Sequence, residues 1–454
     1  MKIIIAGGGK VGTSVAGTLS AEGHDITVID RDPEVIERIS NTLDVICMLG
    51  SATNPETLRE AGAAQADLLL AAMREDEGNM ICGISARKLG TPYVAARIRD
   101  PEYLPQTAFL QETLGLSVIM NPEYECAREI SRILRFPSAS RVDTFSRGSV
   151  EIVEYHIPEG SPLHGMSLRD LPRVSGARVL VVIVERDGEA MIPNGDFVLQ
   201  RGDALSLSGA NHELRKFFEA IGQYRRPVRN LMILGGGRIA VYLGRMMEES
   251  GIKVTVIDRD EERCELLCDL LPRASIVCGD GASGDVLAEE GISRTDAFAA
   301  LTGDDGDNII TSMYARRCKV PKIVTKVNRE RFADMLESAG LESIVSPKEL
   351  VAQQLTRYVR ALDDSRGGSM ETLHRLADGK AEALEFRVGE RSRLVGIELR
   401  HLRLKKNVLI GAVIRDGKSL IPNGATMLQP GDHAVIVTAS GRLTGLDQIL
   451  EGEK

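Results

Sequence analysis

The sequence contains no tryptophan, and its 454 residues include only eight tyrosines and nine phenylalanines. A core dominated by aromatic side chains is therefore excluded, and aliphatic strands joined by small-residue turns are favoured. Basic residues are not in excess either, because 56 Lys and Arg face 65 Asp and Glu, for a formal net charge of −9. A broad nucleic-acid surface needs a basic excess, so we expect no nucleic-acid partner.

Long apolar runs are also missing. Val179–Val184 is among the longest, whereas a membrane-spanning helix needs about 20 apolar residues. The first residues carry one Lys and three Ile before a glycine loop, which is too short for a signal peptide. We therefore expect a cytoplasmic protein that reaches the inner face of a membrane only through a partner.

The cysteine pattern gives no metal or disulfide framework. The seven cysteines are odd in number and form no CxxC motif, which is typical of reduced, buried thiols. Cys264 and Cys268 lie one helical turn apart, but no histidine joins them in a zinc-binding spacing. We expect no metal site.

An internal repeat spans nearly the whole chain. Lys2–Gly9 (KIIIAGGG) returns as Asn230–Gly237 (NLMILGGG), and Ile192–Gly195 (IPNG) returns as Ile421–Gly424. The offset is 228 residues for the first pair and 229 for the second. Matches in the same order at a nearly constant offset indicate two copies of one architecture.

Each copy has two parts. The first part alternates short aliphatic runs with helical patterns, which predicts a Rossmann-type, doubly wound parallel sheet. The second part contains strand patterns and an Asp187-Gly188 hairpin signal, which predict a small α+β module. The predicted fold is thus a tandem α/β repeat with domains at 1–135, 140–222, 229–362 and 370–450, and linkers at 223–229 and 363–370.

The glycine loop of the first copy fits GxGxxG in the required context, between a strand and a helix. Gly7 permits the tight turn, Gly9 lets a pyrophosphate approach the backbone, and Gly12 allows the helix to pack on the strand. The helix N-terminus offers free N–H groups to phosphates. Asp30 ends the second strand, where it can accept both ribose hydroxyls, which favours NAD over NADP; the adjacent Arg31 weakens that preference. The candidate nucleotide site of the first copy comprises Gly7, Gly8, Gly9, Lys10, Val11, Gly12, Asp30, Arg31, Ser51, Ala52, Met73, Arg74 and Arg97.

The second copy keeps this pattern with two changes. Ala240 replaces the third glycine, and Asp280 stands where the first copy has Ser51. The two sites therefore need not prefer the same nucleotide, and a degenerate second site retained for folding is the alternative. Its candidate residues are Gly235, Gly236, Gly237, Arg238, Ile239, Asp258, Arg259, Asp280, Thr302 and Lys326.

Cations follow the later strands of each predicted sheet. Arg97 and Lys326 occupy equivalent positions at strand ends, which face the ligand in this fold. Such a cation could reach a phosphate or a partner loop. The alternative is a surface arginine paired with Glu75 or Asp76.

Catalytic residues are not found. None of the seven histidines repeats between the copies, and the sequence has no nucleophile motif and no P-loop. Two cofactor folds without a repeated acid or base favour a sensor over a dehydrogenase.

These residues together resemble the tandem RCK (KTN) family, the TrkA-type regulatory subunits of bacterial and archaeal Trk potassium-uptake systems. The markers are the glycine loop with Asp30, Ala96–Arg99 followed by Pro101–Tyr103, Asn121–Glu123, and the repeated IPNG and Gly-Asp pairs. Gly50-Ser51, where the family often has Gly-Asp, and Ala240 depart from the pattern and affect nucleotide preference rather than fold.

The resemblance implies RCK N-terminal and C-terminal domains that bind NAD or NADH and also ATP or ADP. It implies docking on a TrkH/TrkG-type potassium-translocating membrane subunit. It further implies a homotetramer, since relatives with one unit form rings of eight Rossmann domains. Two alternatives stay open: an NAD-dependent oxidoreductase of unknown substrate, and the regulatory ring of another ion transporter.

Overall fold

The computed structural model describes residues 1–136, 138–146, 149–223, 228–328, 336, 340–341, 343–364, 370–439, 443 and 445–451. The chain forms two compact units. The parallel-sheet unit combines Met1–Ser131 with Val228–Thr356, and the antiparallel-sheet unit combines Arg132–Pro227 with Arg357–Lys454. Each unit therefore contains one part from each copy of the repeat.

The first copy begins with a six-stranded parallel sheet in the order β3-β2-β1-β4-β5-β6. Its strands are β1 (Lys2–Ala6), β2 (Asp25–Asp30), β3 (Ile46–Leu49), β4 (Leu68–Ala71), β5 (Tyr93–Arg97) and β6 (Val118–Met120). The order reverses between β1 and β4, which opens a crevice at the carboxyl ends of these strands.

Helices connect these strands, and most begin at residues suited to that position. They are α1 (Lys10–Ala21), α2 (Pro33–Thr42), α3 (Pro55–Glu60), α4 (Asp76–Leu89), α5 (Thr107–Leu114) and α6 (Pro122–Arg135). Pro follows both Asp32 and Asn54 in the sequence, a pattern that predicts a helix start. The structure confirms it, since Asp32 and Asn54 cap α2 and α3 by accepting the backbone N–H of Glu34 and Glu56.

The first copy continues with a five-stranded antiparallel sheet in the order β10-β9-β11-β8-β7. It contains β7 (Arg141–Phe145), β8 (Val150–His156), α7 (Leu171–Ser175), β9 (Leu180–Arg186), β10 (Glu189–Met191), β11 (Ala204–Gly209) and α8 (Asn211–Ala220). The predicted Asp187-Gly188 hairpin is confirmed, with both residues at positive φ between β9 and β10. The repeated Gly-Asp pair also gains a role, since Asp203 binds Arg186 through two hydrogen bonds of 2.7 and 2.8 Å.

The second copy repeats the parallel sheet in the order β14-β13-β12-β15-β16-β17. Its elements are β12 (Asn230–Leu234), α9 (Arg238–Glu249), β13 (Lys253–Asp258), α10 (Glu261–Leu270), β14 (Ser275–Cys278), α11 (Asp285–Glu289), β15 (Ala297–Ala300), α12 (Asp305–Arg317), β16 (Lys322–Lys326), β17 (Ile344–Val345) and α13 (Pro347–Asp364). Strand registers match those of the first copy, so the repeat read in the sequence is a repeat of structure.

The second antiparallel sheet has the order β18-β19-β22-β20-β21. Its strands are β18 (Met370–Leu376), β19 (Ala381–Arg387), β20 (Val408–Arg415), β21 (Lys418–Leu420) and β22 (His433–Thr438). Arg415 and Asp432 repeat the bidentate pair of the first module, at 2.8 and 2.7 Å. In the described residues near the end of the chain, a short 3-10 helix at Leu446–Ile449 stands where the first module has α8.

The two small modules share a buried core. Phe145, Val182 and Ile183 of the first module pack in one cluster with Ala412 and Val437 of the second. A Cβ at Gly411 would lie 3.1 Å from Val182 Cγ1 and 3.2 Å from Val437 Cγ2, so the absence of a side chain there permits this close approach.

A buried polar pair lies at the same contact. His374 Nδ1 lies 2.8 Å from Asp143 Oδ1, and both residues are buried. Strand pairing shows that they are equivalent, since Asp143 pairs with Ile152 in the first module and His374 with Ala383 in the second. The pair therefore joins the two copies at matching positions.

Some expectations need correction. Cys268 and Cys278 are exposed, so not all thiols are buried, although all seven cysteines are free. The antiparallel sheets have five strands each, and apolar runs do not predict all of them, since β7 mixes charged and apolar residues. The predicted linkers fall largely on residues 224–227 and 365–369, outside the described residues.

No helix within the described ranges is long and apolar enough to cross a membrane.

Candidate functional site

The glycine loop of the first copy has the backbone shape that the motif requires. Gly7 has φ of +107°, and a Cβ there would lie 2.9 Å from the backbone of Ala72 and Met73. A Cβ at Gly12 would lie 1.9 Å from the Gly7 carbonyl oxygen, so helix α1 packs against the loop without a side chain. A Cβ at Gly9, in contrast, meets no described heavy atom within 4 Å, which leaves open space above the loop.

Asp30 and Asp258 hold the two loops in the same way. Asp30 Oδ2 accepts the Gly8 N–H at 2.6 Å, and Asp30 Oδ1 accepts the Asp32 N–H at 3.0 Å. Asp258 repeats both bonds to Gly236 and Asp260 at the same lengths. Each carboxylate oxygen has a second lone pair, so each Asp can bind the loop and still accept hydroxyl groups of a ligand.

The helices after both loops start without a side-chain cap. Gly9 and Gly237 are the N-cap residues of α1 and α9, and neither has a side chain to accept the first N–H groups. Helices α2 and α3, in contrast, are capped by the side chains of Asp32 and Asn54. Uncapped N–H groups at a helix start attract phosphate or another anion.

A buried asparagine in each copy, Asn79 or Asn308, holds two strand ends of the parallel sheet together. Asn79 is fully buried, accepts the Met73 N–H at 2.7 Å and donates to the carbonyl oxygens of Met73 and Arg97 at 3.1 and 2.8 Å. Asn308 makes the corresponding bonds to Thr302 and Lys326. Each asparagine thus joins the ends of two neighbouring strands.

A cleft of about 890 Å³ lies at the carboxyl ends of the second parallel sheet, and residues of both copies line it. From the predicted sites it contains Lys10, Val11, Arg97, Gly235, Gly237, Arg238, Ile239, Asp258, Arg259, Asp280, Thr302 and Lys326. Lys10, Val11 and Arg97 were predicted for the first copy's site, and they also line the second copy's cleft. Spacing along the chain carries no information about how the copies pair, which is why the sequence did not reveal it.

The remaining predicted residues of the first copy lie at the ends of its own strands. Gly7, Gly8, Gly9 and Gly12 form the loop after β1, Asp30 and Arg31 follow β2, Ser51 and Ala52 follow β3, and Met73 and Arg74 follow β4. In the second copy, Gly236 lies in the loop after β12. Arg74 is largely exposed and pairs with Glu75 at 3.7 Å, so the surface-pair alternative describes Arg74.

Arg97 does not form the surface pair that the alternative predicts. Its guanidinium donates to the Met73 carbonyl oxygen, and its buried Nε has no hydrogen-bond partner within the part of the chain that the structure describes. Burial lowers the pKa of Arg97 to about 10, so it stays protonated at neutral pH. Burial also lowers the pKa of Lys326, which lines the same cleft.

Further lining residues were not predicted. Arg263 Nε donates to the Gly236 carbonyl oxygen at 2.6 Å, and Glu123 and Lys348 also line the cleft. Glu123 was noted only as a marker of resemblance, and Arg263 has no equivalent cation in the first copy to signal it. The cleft therefore combines seven cationic side chains with six carboxylates, groups that can bind the phosphates and the hydroxyl groups of one ligand.

The two copies are also joined directly beside this cleft. The Tyr242 hydroxyl donates to the Arg99 carbonyl oxygen at 2.9 Å and accepts from Asn121 Nδ2 at 2.8 Å. The Tyr242 ring meets the Tyr124 ring edge to face at 5.4 Å between centroids. Burial raises the pKa of Tyr242 to about 12, which keeps its hydroxyl protonated as a donor.

Comparison with known proteins agrees with this architecture. The TrkA-N domain matches residues 3–122 and 231–347, and the TrkA-C domain matches residues 152–222 and 383–450. A crystal structure of the GsuK RCK domain has a TM-score of 0.63 over 96% of this chain and 92% of that chain, at 21% identity. A structure described as the GsuK channel bound to NAD also has a TM-score of 0.63, over 96% of this chain and 76% of that chain, at 20% identity. The fold is that of a tandem RCK protein.

Relatives that match over their full length identify one family within the tandem RCK proteins. The chain is 32% identical over 450 residues to the Trk system potassium uptake protein TrkA homolog of Archaeoglobus fulgidus, covering 99% of this chain and all of that protein. It is 32% identical to the Trk system potassium uptake protein TrkA of Halomonas elongata, covering 97% and 96% of the two chains. The chain belongs to the TrkA family of Trk-system potassium uptake proteins.

Proposed function

We propose that this chain is the cytoplasmic, nucleotide-sensing regulatory subunit of a potassium uptake system. In this proposal both crevices bind NAD(H), ATP or ADP, and the protein lies on the inner face of the membrane and gates a TrkH/TrkG-type subunit. The predicted site residues act as nucleotide ligands, and the four domains keep the boundaries 1–135, 140–222, 229–362 and 370–450.

The observation that carries the proposal is the composite cleft. Lys10 and Arg97 of the first copy line the crevice that Asp258 and the second glycine loop define. A nucleotide bound to Asp258 through its ribose would place its phosphates among cations from both copies. Because such a ligand contacts both copies, it favours one arrangement of the copies over others, which is what a sensor requires.

The assembly we propose is a homotetramer with eight Rossmann domains. Equivalent helices α4 and α12 expose apolar residues at the same positions, with Ile81 and Ile310 51% and 65% exposed. Ile84 and Met313 are 36% and 49% exposed one helical turn further on. Repeated apolar patches favour a repeated contact between chains. Light scattering should give four times 49.3 kDa, and the double variant Ile81→Asp/Ile310→Asp should give a smaller particle.

Potassium flux tests the regulatory role. Liposomes that hold the membrane subunit should show flux that responds to added nucleotide in the presence of this protein. Asp30→Ala and Asp258→Ala should alter this response to different extents, because Gly12 and Ser51 of the first crevice are Ala240 and Asp280 in the second. A nucleotide response unchanged by both substitutions would contradict the proposal.

A regulatory role also separates this proposal from an NAD-dependent oxidoreductase. A sensor releases its nucleotide chemically unchanged. We therefore expect NADH absorbance to stay constant during incubation with the protein and a panel of small carbonyl compounds. Steady oxidation of NADH that depends on Asp30 and Asp258 would favour the enzyme.

A further inference from the structure

Three ligand-type side chains meet on one face of the second antiparallel sheet. Glu371 lies on β18, Glu385 on β19 and His433 on β22, which are three neighbouring strands. Their ligand atoms all lie within 4.8 Å of one another. They are 14 and 48 residues apart in sequence, which explains why no motif revealed them.

Strand geometry accounts for this meeting. Glu385 pairs with Val435, and His433 lies two residues before Val435, so Glu385 and His433 point to the same face. A bulge between Met370 and Thr372 inserts Glu371 opposite the same partner strand. Because two bulged residues face one residue of the partner, Glu371 joins the other two side chains.

The distances are close to those of a metal site. His433 Nδ1 lies 2.9 Å from Glu371 Oε2 and 3.1 Å from Glu385 Oε1. Bonds of about 2.0–2.1 Å in a tetrahedral zinc site place ligand atoms about 3.3 Å apart. Movements of a few tenths of an ångström would therefore bring all three atoms into position.

Burial and charge also favour a cation there. Glu385 is only 1% exposed, and its carboxylate accepts hydrogen bonds from the backbone N–H and hydroxyl of Ser146, which belongs to the first module. Glu371 is exposed, so the cluster is open to solvent on one side. Two carboxylates beside one imidazole place negative charge at the cluster, and a divalent ion would balance it.

The described residues of the first module do not repeat this cluster. Glu154 pairs with Arg141 and Ser206 as Glu385 pairs with Thr372 and Val435, so the two glutamates are equivalent. Ser140 and Ala204 take the places of Glu371 and His433. Only the glutamate is common to both modules, so the ligand set is a property of the second module.

We propose that Glu371, Glu385 and His433 form a binding site for a first-row transition-metal dication such as Zn²⁺. One imidazole nitrogen and two carboxylate oxygens suit zinc, whereas Ca²⁺ and Mg²⁺ prefer oxygen ligands alone. Ser146 would orient the Glu385 carboxylate as a second layer of support. Because Ser146 comes from the first module, the ion would strengthen the contact between the two modules.

Zinc titration of the metal-stripped full-length protein tests this proposal. We expect one Zn²⁺ per chain in competition with a chromophoric chelator, and a higher midpoint of thermal unfolding with zinc. His433→Ala and Glu371→Gln should each weaken zinc binding at least tenfold. Glu154→Gln, the equivalent change in the first module, should leave it unchanged. Glu371 is exposed, so its substitution should not impair folding, and thermal unfolding without zinc checks this.

Cobalt distinguishes this site from the exposed cysteines. Co²⁺ bound by nitrogen and oxygen should give weak visible bands without the intense sulfur-to-metal band that thiolates produce. The proposal is overturned if the protein binds no zinc at micromolar concentrations. A histidine that is held between two carboxylates by ion pairing alone would bind no zinc in this way. The proposal is equally overturned if zinc binding survives both substitutions, or if the cobalt protein shows a sulfur band that His433→Ala does not remove.

Discussion

Replacing Asp30 by asparagine should weaken nucleotide binding in the first crevice without unfolding the protein. Both Asp30 oxygens accept backbone N–H groups, of Gly8 and Asp32, and both have lone pairs left for ribose hydroxyls. Asparagine keeps one acceptor oxygen and presents an NH₂ group at the other position. The oxygen that is replaced can no longer accept a ribose hydroxyl, and the new NH₂ group faces the backbone N–H that this oxygen had accepted.

The expected increase in the Kd for NADH follows from the hydrogen bonds that are lost. A hydrogen bond to a charged group contributes about 1.5–3 kcal/mol, and about 1.4 kcal/mol corresponds to a tenfold change in Kd. One lost ribose bond should therefore raise the Kd for NADH about 10- to 100-fold. Calorimetric titration should show this at one class of site for Asp30→Asn and at the other class for Asp258→Asn.

Asp32→Ala is the matched control. Asp32 lies two residues away and caps α2 by accepting the Glu34 N–H at 2.9 Å. Its loss should lower the free energy of unfolding by about 1 kcal/mol but leave the Kd for NADH unchanged. The reasoning is refuted if Asp30→Asn binds NADH as tightly as the unmodified protein, or if Asp32→Ala weakens binding to the same extent.

Three further predictions concern stability and are measured by urea unfolding. Asn79→Ala should lower the free energy of unfolding by about 3 kcal/mol, because it leaves buried backbone groups at two strand ends without partners; a loss below 0.5 kcal/mol would contradict the role assigned to Asn79. Gly411→Ala should cost about 1–3 kcal/mol by overpacking against Val182, and Val182→Ala added to it should recover part of that loss, whereas strictly additive costs would refute the contact. Burial raises the pKa of Asp143, but Arg141 and His374 outweigh burial and hold that pKa below its usual range. The stability that this provides is present above about pH 4 and is lost as pH falls below it. Asp143→Asn should therefore be less stable at pH 7 and lack the acid-dependent loss, and an unchanged slope would argue against an ionised Asp143.

Most of the fold followed from the sequence because its signals are local. Gly7, Gly12 and Asp30 have the predicted positions, and the caps at Asp32 and Asn54 mark helix starts correctly. Strands were missed where this local signal fails: β7 carries charged residues, one of them the buried Asp143, whose partner lies 231 residues away.

The candidate site was only half predictable for the same reason. The residues at the ends of each sheet follow from the Rossmann pattern. That Lys10 and Arg97 also line the other copy's cleft depends on contacts such as Tyr242 with Asn121, which no spacing encodes. The Glu371–His433 cluster likewise depends on a sheet order and a bulge that become visible only in three dimensions.

The contact between the two small modules has a consequence for assembly. In a dimer of identical modules with two-fold symmetry, a residue on the axis meets its own copy, so aspartate would face aspartate and valine would face valine. Here Asp143 faces His374, and Val182 faces Gly411. Joining the copies in one polypeptide has allowed each half to become complementary to the other rather than to itself. The two halves thus behave as a fixed heterodimer. Pairing of each half with its own kind would instead bury two carboxylates together.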